Sequence, residues 1–252
     1  MRGERFRGIV LRRVNLAEAD RLVTFVTANG KKRAVARGVR KVTSRKAGAL
    51  ELFNVVDVQV AGGRGLPIIQ EAALVVGFPS LRIDFARVSH AYWAGELVDR
   101  LVNEDGDDTS LYEALYTYLT HLNAAHDSLD IHAFELVALR ELGWQPELTT
   151  CAQCHQPLAG SQLSWSDDLG GVLGEKCCPW PASVRPLTQN AVKVLRLLTQ
   201  RGYDVTGGVE IPASVVAEVA TVLHGYLETI SERRFRSPLL FKEIYGDTYD
   251  LG

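Results

Sequence analysis

The stretch KKRAVARGVRKVTSRKAGALELF, residues 31–53, predicts a β-strand that runs into a basic loop. Lys31, Arg33 and Arg37 are separated by even numbers of residues, so a strand over 31–37 would present all three on one face. The loop over 38–49 has a glycine near each end and lacks aromatic residues, and we expect it to be flexible. The basic side chains of the stretch are Lys31, Lys32, Arg33, Arg37, Arg40, Lys41, Arg45 and Lys46.

Charge is distributed unevenly along the 252 residues. Residues 1–50 carry 14 Lys or Arg and 3 Asp or Glu, a net charge of +11, while the chain as a whole carries −2 and its remainder therefore −13. Such an asymmetry suggests a polyanion-binding end and a different task for the rest of the chain. The plain alternative is a solvated surface, but a basic segment in an acidic chain favours contact with a phosphate backbone.

The first 79 residues predict five short strands, over 5–14, 20–27, 31–37, 53–60 and 67–76. Asn29-Gly30 lies between two of them and is a strong hairpin signal. In the fourth strand, Val56, Val58 and Val60 alternate with polar residues, which indicates one buried face. Five short strands in this length suit a small closed barrel such as an OB-fold. The scarcity of aromatic residues in this part favours contact with nucleic-acid backbones over base stacking.

Beyond residue 80 the pattern becomes helical. Apolar residues recur near the 3.6 period in segments that we expect to form helices up to about residue 101, from about 109 to 125 and from about 128 to 142. Two more helices are predicted over 188–200 and from Pro212, an apt first-turn residue. Residues 149–182 read as irregular. The fold class predicted for the whole chain is therefore α+β and multidomain.

Cysteines are confined to one region, at Cys151, Cys154, Cys177 and Cys178. Cys151-x-x-Cys154 can present two thiolates to one metal ion, and zinc usually takes four such ligands. Adjacent cysteines converge poorly on one ion, so His155 or a single member of the Cys177-Cys178 pair could complete a zinc site. Alternatives are an eroded zinc ribbon, a set of reduced thiols, or a thiol oxidoreductase that uses Cys151 and Cys154.

Other signatures of enzymes and of membrane proteins are absent from the sequence. It contains no G-x-S-x-G, no phosphate-binding G-x-x-x-x-G-K-[ST] and no H-E-x-x-H. No apolar run approaches the roughly 18–20 residues needed to cross a bilayer, and the N-terminal residues lack the pattern of a signal peptide. We therefore expect a binding protein of the cytoplasm, without catalytic activity and without a membrane partner.

Three stretches are similar to segments of a known family. GKKRAVARGVRKVTSRKAGALELFNVVDV begins at Gly30, FELVALRELGWQPELTTCAQC at Phe134 and ERRFRSPLLF at Glu232. In these stretches the chain resembles the RecO family of bacterial recombination mediators, and the resemblance spans nearly its whole length. The second stretch is the most specific, because it looks like the family's junction between a helix and a C-x-x-C pair.

The resemblance implies an architecture and a set of site residues. The architecture is an OB-fold over 1–79, a helical domain over 80–148 and 183–252, and a zinc-ribbon-like insertion over 149–182. Gly174 departs from the pattern, because zinc-binding members have a cysteine three residues before Cys177. The implied metal ligands are Cys151, Cys154, Cys177 and Cys178, and the implied DNA-binding residues are Arg21, Lys31, Lys32, Arg33, Arg37, Arg40, Lys41, Arg45 and Lys46.

The resemblance also implies a function and partners. These are binding of single- and double-stranded DNA, annealing of complementary strands, and cooperation with RecR in loading RecA onto strands covered by single-strand-binding protein. The acidic tail of that protein would need a basic groove, for which the candidates are Arg87, Arg100, Arg140, Arg233, Arg234 and Arg236. An RNA-binding OB protein of translation or RNA processing is the alternative that the basic stretch leaves open.

Overall fold

A computed structural model describes residues 3–16, 18–62, 65–103, 109–125, 127–158, 160, 162–177, 184–205, 210–232 and 235. The chain divides into two compact units, Met1–Ala125 and His126–Gly252. Five strands and two helices belong to the first unit, and three helices and a small sheet belong to the second. The domain limits expected from the family architecture stay a prediction.

In the first unit the five strands form one sheet. Each strand pairs with its neighbours in the order β1-β2-β3-β5-β4, and β4 pairs back to β1, so the sheet closes into a barrel. All pairs are antiparallel except β3 with β5, which meet in parallel at Val35 and Ile68. The strands are β1 (Gly3–Asn15), β2 (Arg21–Thr27), β3 (Gly30–Ala36), β4 (Val55–Ala61) and β5 (Ile68–Val76).

The barrel interior follows the alternation seen in the sequence. Val56, Val58 and Val60 on β4 are buried, whereas Asp57 between them is exposed. The predicted hairpin also forms, with β2 and β3 paired from Thr27 and Gly30 outwards. Its turn residues are Ala28 and Asn29 rather than Asn29 and Gly30. Gly30 instead opens β3 with a φ of 82°, which a residue without Cβ adopts at no steric cost.

Two helices complete the first unit, α1 (Phe85–Leu101) and α2 (Thr109–Ala124). The Asp84 carboxylate caps α1 by accepting hydrogen bonds from the backbone N–H groups of Ala86 and Arg87. Gly95 lets α1 approach the barrel closely, because a Cβ there would lie 2.9 Å from the Phe53 ring. The unit is therefore a barrel with helices packed on it.

The second unit is built around α3 (Asp130–Glu141), α4 (Gln189–Arg201) and α5 (Ala213–Ser231). The predicted five-stranded N-terminal sheet and the helical region that follows it are thus confirmed. Thr188 caps α4 through the Ala191 N–H, and its hydroxyl also donates to Glu218 on α5. Short 3-10 helices cover Pro79–Arg82, Glu175–Cys177 and Gly202–Val205.

The sequence suggested that residues 149–182 are irregular, but part of this segment forms β-strands. A three-stranded antiparallel sheet, ordered β7-β6-β8, contains β6 (Leu163–Ser166), β7 (Gly171–Leu173) and β8 (Val184–Leu187). Trp165 on β6 is fully buried, and its ring lies edge-on to that of Tyr226 on α5 at 5.7 Å. These strands are too short to show periodicity and are stabilised by packing on α5.

Candidate nucleic-acid interface and thiol cluster

β3 places the predicted basic residues differently from the sequence interpretation. The strand ends at Ala36, so Arg37 lies beyond it and does not share its regular face with Lys31 and Arg33. Ala34 and Ala36 point into the barrel core, and Lys31 and Arg33 therefore point outwards. The predicted strand extended one residue too far, to Arg37, so the prediction that Lys31, Arg33 and Arg37 share one strand face was wrong.

Arg21, Lys31, Lys32 and Lys46, four of the candidate DNA-binding residues, use their side chains in contacts within the protein. The Lys31 ammonium donates to the backbone oxygen of Asp99 on α1 and lies 3.3 Å from its carboxylate. Lys32 pairs with Glu4 and lies over the Phe6 ring. The other two donate to oxygens of the same unit, Arg21 to Asn15 Oδ1 at 3.1 Å and Lys46 to Ile69 O at 2.9 Å.

Five candidates are exposed, on β3 and in the loop after it, and two of them, Arg33 and Arg40, also have contacts within the protein. They are Arg33, Arg37, Arg40, Lys41 and Arg45. The aromatic rings of the barrel are not available beside them as a stacking platform, because Phe25 and Phe53 are buried and Phe6 is half-buried. The exposed chemistry of this surface is therefore cationic, as expected for a contact with phosphates.

The basic loop, residues 37–50, is a series of hydrogen-bonded turns. Gly38 donates its N–H to the Asp20 carboxylate at 2.8 Å, and Arg40 donates its N–H to Ala19 O at 3.0 Å. At its far end, the buried Asn54 amide donates to Gly48 O and Ala49 O, both at 3.0 Å. The expected flexible loop is thus tied to the rest of its unit at both ends.

Apolar packing holds the loop as well. Val39 and Leu50 belong to the barrel core, and Ala47 and Ala49 pack against it. Val42, by contrast, is fully exposed. The sequence interpretation missed this residue, because a valine between charged residues gives no indication of whether it packs inwards.

Three thiols form a cluster in the second unit. The sulfur atoms of Cys151, Cys154 and Cys177 all lie within 4.8 Å of one another, and this is the cluster of possible metal ligands found in the described part of the chain. Cys151 is buried and Cys154 is exposed, so the cluster reaches the surface. Cys178 lies outside the described residues, and the His155 ring is not part of the cluster.

Backbone amides favour a thiolate at Cys151. Burial alone raises the pKa of its thiol, but the N–H groups of Gly174, Cys154 and Gln153 outweigh this effect and lower the pKa to about 7. Hydrogen bonding with Cys154, followed by burial and the neighbouring Cys151, raises the pKa of Cys177 to about 11. Cys151 thus forms a thiolate readily, whereas Cys177 does so at neutral pH only if a cation compensates its charge.

Gly174 occupies the place next to Cys151 where a fourth ligand would be expected. Its N–H donates to Cys151 Sγ at 3.4 Å. A Cβ built on Gly174 would lie 4.0 Å from Cys151 Cβ and 3.9 Å from Leu158, which is ordinary van der Waals contact. The described residues therefore bring together three of the four expected cysteines and leave room for a side chain at this position.

Three arginines proposed for the acidic partner tail have partners in the protein. Arg87 donates to the backbone oxygens of Leu122 and Asn123. Arg100 pairs with Glu96, and Arg140 pairs with Glu141. The candidates Arg233, Arg234 and Arg236 lie outside the described residues. No surface of the described chain is thereby singled out for that partner.

Two family models account for nearly the whole chain. The model described as Recombination protein O N terminal matches residues 1–78, and Recombination protein O C terminal matches residues 82–239. The chain belongs to the RecO family. The resemblance found in the sequence is therefore confirmed, and it covers both the barrel and the helical region.

Individual RecO proteins are similar in sequence to this chain over most of their length. A protein from Roseiflexus sp. (strain RS-1) is 38% identical over 234 residues, which are 92% of this chain and 83% of the relative. One from Anaeromyxobacter dehalogenans (strain 2CP-C) is 34% identical over 241 residues, 94% of this chain and 95% of the relative. One from Symbiobacterium thermophilum is 33% identical over 236 residues, 91% and 93% respectively. Each is named DNA repair protein RecO.

The described residues contain no candidate for a membrane-spanning helix. Among the helices of the described residues, none has the length and apolar character that crossing a bilayer requires.

Proposed function

We propose that this RecO-family protein is a DNA-binding recombination mediator in DNA repair, and that it acts without catalytic turnover. The observation that carries the proposal is the group of five exposed cations on β3 and the basic loop, in a chain whose net charge is −2. Its relatives are named as DNA repair proteins, which supports the same function.

The proposed DNA contact is centred on Arg33, Arg37, Arg40, Lys41 and Arg45. Each cation that neutralises a phosphate releases a counterion, so affinity should depend strongly on salt and little on sequence. Arg21, Lys31, Lys32 and Lys46 contribute to the positive potential but would have to leave their present partners to reach DNA. Because contacts go to backbones, both single and double strands are proposed ligands.

The barrel is proposed to be an OB-fold. The closed five-strand order supports this assignment, since OB-folds are five-stranded barrels that bind oligonucleotides. With it we propose the family architecture, in which 1–79 is the DNA-binding domain, 80–148 with 183–252 the helical domain, and 149–182 a zinc-ribbon-like insertion.

Strand annealing is the proposed consequence of DNA binding. Neutralising two complementary strands at once lowers their mutual repulsion and lets them search for register. We further propose that the protein works with RecR to load RecA onto strands covered by single-strand-binding protein, in the cytoplasm and at the nucleoid. The helical part is proposed to contact the protein partners, while β3 and its loop hold the DNA.

Zinc is the proposed cofactor. Cys151, Cys154 and Cys177 fit a zinc ion in ligand type and proximity, and Cys178 is the proposed fourth ligand. The ion would act structurally, by joining the C-x-x-C turn to the chain around Glu175–Cys177. Metal analysis of protein purified without chelators should find about one zinc per chain, and Cys151→Ser should remove it.

DNA binding can be tested by competition among single-stranded DNA, duplex DNA and structured RNA, titrated with salt. Replacement of Arg33 and Arg37 by Glu should weaken DNA binding by about tenfold or more and flatten its salt dependence. The matched control is Lys193→Glu with Arg201→Glu, which makes the same change in charge at exposed positions of α4. A clear preference for structured RNA would favour the RNA-binding alternative and overturn the proposal.

A further inference from the structure

Val42 is the exception among the apolar side chains of its segment. Within residues 37–52, all of which the structure describes, the other Val, Leu and Ala side chains belong to the barrel core or pack against it. Those residues are Val39, Ala47, Ala49, Leu50 and Leu52. Val42 is 105% exposed, as in a fully extended chain. A valine that could gain from burial is therefore presented to solvent.

The position of Val42 is fixed by the turn that carries it. The Ser44 N–H donates to Lys41 O at 2.9 Å, so Val42 is the first of the two central residues of a tight turn. Lys41 N–H in turn donates to Gly38 O at 3.1 Å, and Gly38 is held by Asp20. A side chain on such an anchored turn loses little conformational entropy when it binds a ligand.

The surroundings of Val42 define the chemistry of its ligand. Arg40, Lys41 and Arg45 are exposed and lie within three residues of it along the chain. A ligand that satisfies both the cations and the valine must have an anionic backbone and apolar faces close together. A nucleic acid with unstacked bases has this combination, whereas a duplex keeps its base faces inside the stack.

We propose that Val42 packs against the bases of a single strand whose phosphates are held by the neighbouring cations, and that it gives the protein a preference for single strands over duplex. The inference rests on the proposed function, because it presupposes that the basic loop binds DNA. It goes beyond that proposal by adding a contact to bases, which the arginines and lysines do not provide.

Binding of a single-stranded oligonucleotide and of a blunt duplex of equal length tests the proposal in the full-length protein. Val42→Ser should weaken single-strand binding by about three- to tenfold and change duplex binding by less than about twofold. The salt dependence should not change, because no cation is removed. Val42→Ile should retain or strengthen single-strand binding.

Ile83→Ser is the matched control, since Ile83 is 88% exposed in the same unit but outside the basic loop. Unchanged single-strand affinity of Val42→Ser, or an equal loss on both ligands, would overturn the role of Val42 and leave the proposed DNA binding intact. Failure of the wild-type protein to bind either DNA would overturn the proposed function itself.

Discussion

Gly174 is the residue that decides how many protein ligands the thiol cluster can offer. Its Cβ position is open and lies beside Cys151, so a cysteine there would place a fourth sulfur next to the other three. We predict that Gly174→Cys raises the affinity for zinc by at least about tenfold, because a thiolate at position 174 replaces that of Cys178, which as the neighbour of Cys177 converges poorly on the same ion. Competition with a chelator measures the affinity, and the absorbance of the cobalt-substituted protein reports the added thiolate.

Cys178→Ser is the control for this prediction. If Cys178 is the fourth ligand in the wild-type protein, its removal lowers zinc affinity and Gly174→Cys restores it. Equal affinities of the wild type and Gly174→Cys would contradict the prediction. The assay needs a reductant, because the 4.0 Å between Cβ174 and Cβ151 lies within the range of about 3.5–4.5 Å found in disulfides.

Glu147, four residues before the thiol cluster, carries a pH-dependent part of the stability. The Thr149 hydroxyl and the N–H groups of Thr150 and Thr149 donate to its carboxylate and lower its pKa to about 2. A carboxylate with a lowered pKa stabilises the fold fully above its unfolded value of 4.5, and this stabilisation is lost as the pH falls to about 2.

Glu147→Gln should therefore lower the free energy of unfolding by about 1–2 kcal/mol at neutral pH, a figure reduced for partial exposure. The difference from the wild type should shrink between pH 4.5 and pH 2 and then vanish. Urea unfolding across this range measures it, with Glu210→Gln as an exposed control in the same unit. A pH-independent difference would mean that the hydrogen-bond geometry, not the charge, is responsible.

At the scale of elements, the basic residues of β3 and its loop fall into two classes: those that join elements of the fold and those that are exposed to solvent. Lys31 joins β3 to α1 through Asp99 and is only 15% exposed, whereas Lys41 lies exposed in the loop. We predict that Lys31→Ala lowers the free energy of unfolding by about 1 kcal/mol and changes DNA affinity by less than about twofold. Lys41→Ala should weaken DNA binding about two- to fivefold without loss of stability.

Chemical denaturation and salt-dependent DNA titration of the two variants separate these classes. The salt slope should fall by about one for Lys41→Ala and stay constant for Lys31→Ala. An equal loss of affinity in both variants would mean that Lys31 exchanges Asp99 for a phosphate when DNA binds.

The same elements show what could be predicted from the sequence. Alternation in β4, the Asn29-Gly30 signal and the helical periods are local features, and they led to the five strands of the first sheet and to α1 to α5. Lys31 to Asp99 and Lys46 to Ile69 are long-range pairs, for which a basic residue in a sequence gives no sign of its partner. The C-x-x-C spacing indicated the thiol cluster, but β6 to β8 depend on tertiary packing and were missed.

A few side-chain contacts hold the second sheet together and join it to α5. Trp165 donates its indole N–H to Asp167 at 2.8 Å, and Asp167 pairs with Arg185 on β8. Arg185 also donates to Thr221 O on α5 and packs over Gly225, where a Cβ would collide with it. Asp167 lies in the turn after β6, and its neighbours in the sequence give no sign of its pairing with Arg185.

For the whole molecule, the charge distribution bears on annealing. The +11 of residues 1–50 attracts DNA, while the −13 of the remaining chain repels it, so strands should be confined to the basic surface. The proposed annealing requires this surface to hold two strands, whereas the proposed contact with single-strand-binding protein lies on the helical part. The two proposed activities should therefore be separable by substitution.

We predict that the variant with Glu at positions 33 and 37 loses annealing of naked strands and of strands coated with the cognate single-strand-binding protein by similar factors of about tenfold or more. Binding of single-strand-binding protein without DNA should stay at the wild-type level, because the substituted side chains lie on β3 and its loop. Fluorescence-detected annealing and a direct protein-binding titration measure the two quantities, with Lys193→Glu/Arg201→Glu as the charge-matched control. A loss confined to coated strands would place the contact with single-strand-binding protein on the basic loop, and would contradict the assignment of that partner to the helices.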